Sequence, residues 1–147
     1  MLVRTPMTRD VLTIPPWLPI AYAWRILGRE RIRHLPVVDH GQLVGIISDR
    51  DLLLAGEADA GADDLVFPSK TVAEILTPRP ITCSPATTVA EAARMMIDKK
   101  IDALPVVSGG KLVGLVTSTD LLMLLLERAP ECALPFDFHV MQAAFAA

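Results

Sequence analysis

The chain has 147 residues, enough for one compact domain or for two small halves sharing a core. Its formal charge of −3 and pI near 5.5 exclude the broadly basic surface with which nucleic-acid binders neutralise phosphates. Apolar residues make up 52% and mean hydropathy is +0.42, yet the longest strictly apolar run, Leu121 to Leu126, is far shorter than the roughly 20 residues of a spanning helix, so no membrane insertion is expected. The apolar excess must then be buried elsewhere, and in so short a chain a subunit interface is the expected place. The N-terminus, MLVRTPMTRD, lacks the layout of a signal peptide, and two cysteines, Cys83 and Cys132, make neither a disulfide framework nor a metal cluster. Both features point to a reducing cytoplasm.

Residues 1–55 begin with a short strand at Thr13-Ile14 and then a helix whose apolar stripe is Ile20, Ala23, Trp24 and Leu27, with Trp24 expected to fill a large hole in the core. Leu35-Pro36-Val37-Val38 reads as a strand, Gly41 as a turn, and the segment from Leu43 as the partner strand, ending at Ser48-x-x-Asp51 and a second helix. Residues 56–70 are rich in Gly, Ala and Asp and read as a flexible, solvated linker.

Residues 71–128 repeat the pattern more cleanly. Residues 80–83 form a short extended segment broken by Ser84-Pro85. Thr88-x-x-Glu91 has the form of a capping box, and Val89, Ala92, Ala93, Met96 and Ile97 then mark one helical face. Leu104 to Val107, the turn Gly109-Gly110 and Leu112 to Thr117 read as a hairpin, and Thr117-x-x-Asp120 caps a helix running to about Arg128. The run Leu121 to Leu126 circles that helix, so it is expected to be buried on all sides against a second subunit. Residues 129–147 form an apolar, aromatic tail, suited to packing on its own module, crossing to a partner or docking another protein.

These two stretches are copies. Leu35-Pro36-Val37-Val38 recurs as Leu104-Pro105-Val106-Val107, Gly41 as Gly110, Leu43-Val44-Gly45 as Leu112-Val113-Gly114, and Asp51-Leu52-Leu53 as Asp120-Leu121-Leu122, at one constant offset. Each copy reads β-α-β-β-α. The expected fold class is therefore α+β, with two such motifs packed about a pseudo-twofold axis, because either copy alone would leave an apolar face open.

Ser48 and Thr117 each end a strand and open a helix, where free backbone N–H groups favour an anion. Asp51 and Asp120, one turn later, can accept hydrogen bonds from a vicinal diol such as that of ribose. The same spacing also serves as an ordinary capping arrangement. No HExxH, Ser-His-Asp cue or phosphate-binding loop accompanies His34, His40 and His139, so the chain is not expected to be an enzyme.

A duplicated unit with Leu-Pro-Val-Val, a glycine turn and Leu-Val-Gly-x-x-(Ser/Thr)-x-x-Asp resembles the CBS domain, whose tandem pair is called a Bateman module. That resemblance covers residues 3 to about 126. It implies a regulatory ligand of the adenosine class (AMP, ADP, ATP or S-adenosylmethionine), with Asp51 and Asp120 holding ribose and Ser48 and Thr117 near phosphate. It places the base slot at Thr13, Ile14, Arg33 and His34 in one copy and at Thr82, Cys83, Asp102 and Ala103 in the other. It also implies a homodimer acting on an unknown regulated protein. Arg33, His34 and Arg50 would welcome phosphate and Asp102 would repel it, so unequal sites are expected. The competing class is a ligand-free interaction module that uses the dimer face and the apolar tail.

Overall fold

The computed structural model describes residues 1–58 and 65–128. In chain order it contains α1 (Ile20–Glu30), β1 (His34–Asp39), β2 (Gln42–Ser48), α2 (Asp49–Ala55), β3 (Glu57–Ala58), β4 (Leu65–Val66), α3 (Val72–Ile75), β5 (Thr77–Pro78), α4 (Val89–Lys99), β6 (Ala103–Ser108), β7 (Lys111–Thr117) and α5 (Ser118–Arg128).

Both hairpins form as the pattern requires. β1 pairs antiparallel with β2 from His34↔Ser48 to Asp39↔Gln42, and β6 pairs with β7 from Ala103↔Thr117 to Ser108↔Lys111. Each carries a register shift at the same point, between Val37 and Val38 and between Val106 and Val107. Gly109 and Gly110 both hold positive φ, the left-handed turn that matches strand twist, while the first hairpin places His40 (φ 46°) and Gly41 there. α4 starts with the expected capping box: Thr88 accepts from the Glu91 N–H, and the Glu91 carboxylate accepts from the Thr88 N–H. α1 has no side-chain cap, and its first N–H bonds instead to the Lys70 carbonyl at 3.0 Å.

Two cores result. The first gathers Ile14, Ile20, Ala23, Leu27, Leu35, Val37, Ile47 and Leu52, and also Val72 from beyond the 56–70 stretch. The second gathers Cys83, Ala92, Met96, Leu104, Val106 and Val116, and also Val3 from the very start of the chain. The spatial halves are thus exchanged at their edges. β5 extends the first hairpin's sheet (order β1-β2-β5), and Thr8 bridges Leu115 on the second hairpin.

Those crossings explain the repeated Leu-Val-Gly. A Cβ at Gly45 would lie 2.6 Å from Leu76 Cδ1 and 2.9 Å from the Thr77 carbonyl oxygen; one at Gly114 would lie 2.6 Å from Met7 Sδ and 3.1 Å from the Thr8 carbonyl oxygen. Glycine is needed where a second backbone lies on the strand.

Several local expectations change. The extended segment at residues 80–83 reduces to one parallel bridge, Cys83↔Val106, because only two backbone bonds, Cys83 N–H to Pro105 and Val107 N–H to Cys83, tie it to the hairpin; Ile14↔Val37 repeats this in the first half. The 56–70 stretch is not wholly solvated, since β3 pairs with β4 and Phe67 meets Trp24 with ring centroids 5.7 Å apart. Trp24 is half-buried against the core rather than enclosed by it. Ile97, placed on the buried face of α4, is 75% exposed, because the helix turns Ala92 and Met96, with Met95 beside them, to the core. On α5 no residue is fully buried within the chain, and Leu122, Met123, Leu125 and Leu126 face outward. Cys132 and the 129–147 tail lie outside the described residues.

Candidate functional site

The exchanged segments create two clefts related by the repeat. Cleft one, about 450 Å³, lies where β2 and the start of α2 face β5, residues 79–81 and residues 100–103. Cleft two, about 560 Å³, lies where the end of β7 and the start of α5 face residues 8–12 and residues 30–34. Shifting the second set by the repeat offset lands on the first: Thr8 on Thr77, Leu12 on Ile81, Ile32 on Ile101, Leu115 on Ile46, Asp120 on Asp51. Both volumes fall in the range of small-molecule pockets, roughly 300–1,000 Å³.

One edge of each cleft is a capping box. Ser48 N–H and Oγ donate to Asp51 Oδ2 at 2.8 and 2.9 Å, and the Asp51 N–H returns a bond to Ser48 Oγ at 3.2 Å. Thr117 and Asp120 repeat this at 2.7, 2.9 and 3.3 Å. The capping role is therefore real in both copies. It uses Oδ2 alone, and Oδ1 receives no hydrogen bond from the described residues. A carboxylate oxygen has two lone pairs, so each Oδ1 can still accept from both hydroxyls of a diol. Capping and diol recognition are chemically compatible on one side chain.

The residue pair before each Leu-Pro-Val-Val is held at the cleft by its own backbone. The Arg33 carbonyl accepts from the Asp49 N–H at 2.9 Å, and the Asp102 carbonyl accepts from the Ser118 N–H at 2.9 Å. Arg33 and His34 line both clefts; Asp102 and Ala103 line cleft one. Burial, with help from Arg33, pushes the His34 imidazole below its ordinary pKa, against the opposing pull of Asp49, Asp102 and Asp51.

Of the residues singled out from the sequence, cleft one brings together Arg33, His34, Ser48, Arg50, Asp51, Asp102 and Ala103, and cleft two Arg33, His34, Thr117 and Asp120. Thr13, Ile14, Thr82 and Cys83 line neither. Ile14 and Cys83 are core residues, and burial lifts the Cys83 thiol to about 11, far from a thiolate at neutral pH. The opposite walls come instead from residues 8–12 and 77–81, a few positions earlier, and from Arg31 and Lys100, which sequence reasoning passed over. The repeat could have flagged Thr8 and Thr77, which pair at the same offset. Among the described residues no cluster of His, Cys, Asp and Glu could hold a metal, and no helix is long and apolar enough to cross a membrane.

Comparison with known proteins settles the family. The CBS domain model matches twice, at residues 3–57 and 72–127. The chain belongs to the CBS domain family. It is 36% identical over 134 residues to a CBS domain-containing protein of Dictyostelium discoideum, covering 86% of this chain and 92% of that one. It is 39% identical over 113 residues to an inosine-5′-monophosphate dehydrogenase of Korarchaeum cryptofilum, covering 76% of this chain but only 22% of that enzyme's length. Among solved structures, the CBS domain pair of protein MJ0100, in complex with 5′-methylthioadenosine and S-adenosyl-L-methionine, aligns with a TM-score of 0.74 at 32% identity, covering 87% of this chain and 98% of that one. CBSX2 in complex with AMP aligns at 0.73 and 27%, covering 86% and 96%. The α+β arrangement of two CBS motifs is thus shared with domain pairs solved with adenosine ligands.

Proposed function

We propose that this CBS pair is a regulatory module, without chemistry of its own, that binds adenosine-type nucleotides in its two clefts and signals to a partner protein in trans. The observation that carries the reading is the duplicated carboxylate at the cleft edge, Asp51 and Asp120, each with Oδ1 open toward a ligand. In this scheme Oδ1 takes the ribose diol, Ser48 or Thr117 lies toward the phosphate end, and the base enters the apolar part of the cleft. That part is Ile46, Ile81 and Ile101 in cleft one, and Leu12, Ile32 and Leu115 in cleft two. Because each cleft is walled by both halves, a ligand that prefers one spacing of the halves shifts the population toward it, by no more than its differential affinity.

The output face is α2, α4 and α5. Leu54 (82% exposed), Ile97, Leu122, Leu125 and Leu126 project from these helices. Such an unpaired apolar surface suits a homodimer of this chain. A cytoplasmic location fits the same reading, since Cys83 is a buried free thiol. The exposed face also favours the competing reading, a module that kept the fold but lost the ligand.

Thermal unfolding against AMP, ADP, ATP, S-adenosylmethionine and 5′-methylthioadenosine, with GMP as control, separates the two. A ligand at about 100 times its Kd should add roughly 2.7 kcal/mol to folding stability. A shift with an adenosine ligand that is weakened by Asp51→Ala or Asp120→Ala supports the sensor. No shift with any member of the panel supports the interaction module.

A further inference from the structure

The two clefts share their ribose frame but not their charge. At the phosphate end, cleft one has Arg79 where the repeat puts Asp10 in cleft two, and Arg50 where the repeat puts Thr119. These positions are matched in space as well as in sequence. Arg79 and Asp10 each lie two residues beyond the bridge that fastens the crossing segment, Thr77 on Ile46 and Thr8 on Leu115. Arg50 and Thr119 each lie two residues beyond the capping hydroxyl. A guanidinium thus faces cleft one at a place where a carboxylate faces cleft two.

The backbone gives a second, independent sign that the Arg79 position is specified. Arg79 sits between Pro78 and Pro80 with φ 47°, a left-handed conformation that costs a residue with a side chain about 1–2 kcal/mol. Asp10 is not among the residues with positive φ. Lys100, also in cleft one, holds φ 54° at the end of α4. Its repeat counterpart Arg31 holds the same φ and lines cleft two, so of these backbone positions only Arg79 sets the clefts apart.

We propose that the clefts select different 5′ substituents on an adenine nucleoside: cleft one takes a phosphate-bearing nucleotide, and cleft two takes a nucleoside whose 5′ group is neutral or cationic. This rests on the reading that both clefts hold adenosine ligands. Arg50 and Arg79 can grip phosphate oxygens by charge-assisted hydrogen bonds. In cleft two, Asp10 repels a phosphate at the corresponding place and favours a thioether or a sulfonium, while Arg33 is common to both clefts and discriminates nothing.

Calorimetric titration of the intact chain with AMP and with 5′-methylthioadenosine tests this. The wild-type chain should take one tight AMP, lost with Asp51→Ala and kept with Asp120→Ala. Arg79→Asp should weaken that AMP about tenfold or more, the scale of one close charge pair, while leaving 5′-methylthioadenosine within about twofold. Arg79→Asn, which tolerates the left-handed backbone, should weaken AMP in the same direction and guards against a folding defect. Asp10→Arg should create a second AMP site that is lost on adding Asp120→Ala. Two equivalent AMP sites in the wild-type chain, or AMP affinity untouched by both Arg79 variants and by Asp10→Arg, would overturn the charge selection while leaving the sensor reading intact. Absence of any adenosine binding in the wild-type chain would overturn both.

Discussion

Cleft one and cleft two were built by the same unit and have drifted apart at their rims. In both, a hydroxyl and a carboxylate close a capping box, a glycine lets a foreign backbone cross the strand, and an isoleucine precedes the residue pair at the cleft wall. These are demands of the fold, because each satisfies helix N–H groups or avoids a clash that neither copy can escape. The rim residues carry no such burden. Arg79 against Asp10, Arg50 against Thr119, Asp102 against Arg33 and Ala103 against His34 all differ in charge or titration. Where the two copies agree, stability demands the residue and leaves Oδ1 of each capping carboxylate free for a contact common to both ligands; where they disagree, the disagreement is free to encode specificity.

The sharpest way to break the comparison is to close the crossings. Gly45→Ala puts a methyl group 2.6 Å from Leu76 Cδ1, which can swing aside, and 2.9 Å from the Thr77 carbonyl oxygen, a backbone atom that can move only with the whole segment, and overpacking of this kind costs about 1–3 kcal/mol. Gly114→Ala likewise meets a flexible side-chain end first, Met7 Sδ at 2.6 Å, but its backbone contact, the Thr8 carbonyl oxygen, is looser at 3.1 Å. Urea unfolding should therefore find Gly45→Ala the more destabilising of the two, with adenosine binding at cleft one reduced alongside. Equal losses would mean that the crossing segments yield alike.

Next in size are the capping boxes. Without ligand, Asp51→Ala and Asp120→Ala should each lose roughly 1 kcal/mol, since each strips the same acceptor from the same pair of donors. Thermal melts of the unliganded variants check this. With ligand present the two should part, because the clefts differ. A large difference already present in the unliganded proteins would show that one box is doing something other than capping.

This symmetry of caps and hairpins is also what the sequence made legible. Thr88-x-x-Glu91, Gly109-Gly110 and the repeated Leu-Pro-Val-Val are local signals, each set by neighbours within a few residues, and the structure has them where the pattern puts them. The exchanged edges were not legible. Thr77–Pro78 pairs with a strand about thirty residues earlier, and nothing in its composition says which strand edge is open to receive it. The cleft walls depend on that crossing; of the sequence's base-slot candidates Thr13, Ile14, Thr82 and Cys83, Ile14 and Cys83 are buried in the two cores and Thr13 and Thr82 are exposed outside both clefts. Ile97 misled for a related reason, since periodicity marks an apolar face without saying whether the chain itself supplies what covers it.

A smaller effect tests whether strain is kept for the ligand. Lys100 and Arg31 both hold φ 54° at helix ends, where glycine relaxes the backbone. Lys100→Gly and Arg31→Gly should each stabilise the unliganded protein by about 0.5 kcal/mol, the left-handed penalty less the extra entropy of glycine. Only Lys100→Gly should also weaken a phosphate-bearing ligand in cleft one. A loss of stability in both variants would mean that the side chains contribute more to the fold than their backbones cost.

The smallest expected effect concerns His34, which has Ala103 as its counterpart and so titrates in one copy only. Burial and Arg33 favour its neutral form in the fold, while Asp49, Asp51 and Asp102 oppose them without prevailing. Its folded pKa thus lies below that of the unfolded chain, near 6.5, and the unfolded state binds more protons between the two. His34 therefore contributes nothing to the pH slope well above 6.5, and lowers stability as pH falls through that value toward its folded pKa. Melts between pH 8 and 5 should show this acid loss shallower in His34→Ala than in the wild-type chain. A phosphate in cleft one would favour the imidazolium and offset the loss, so saturating AMP should flatten the wild-type slope more than that of His34→Ala. Identical slopes with and without AMP would place the phosphate away from His34, at the Arg79 end of the cleft.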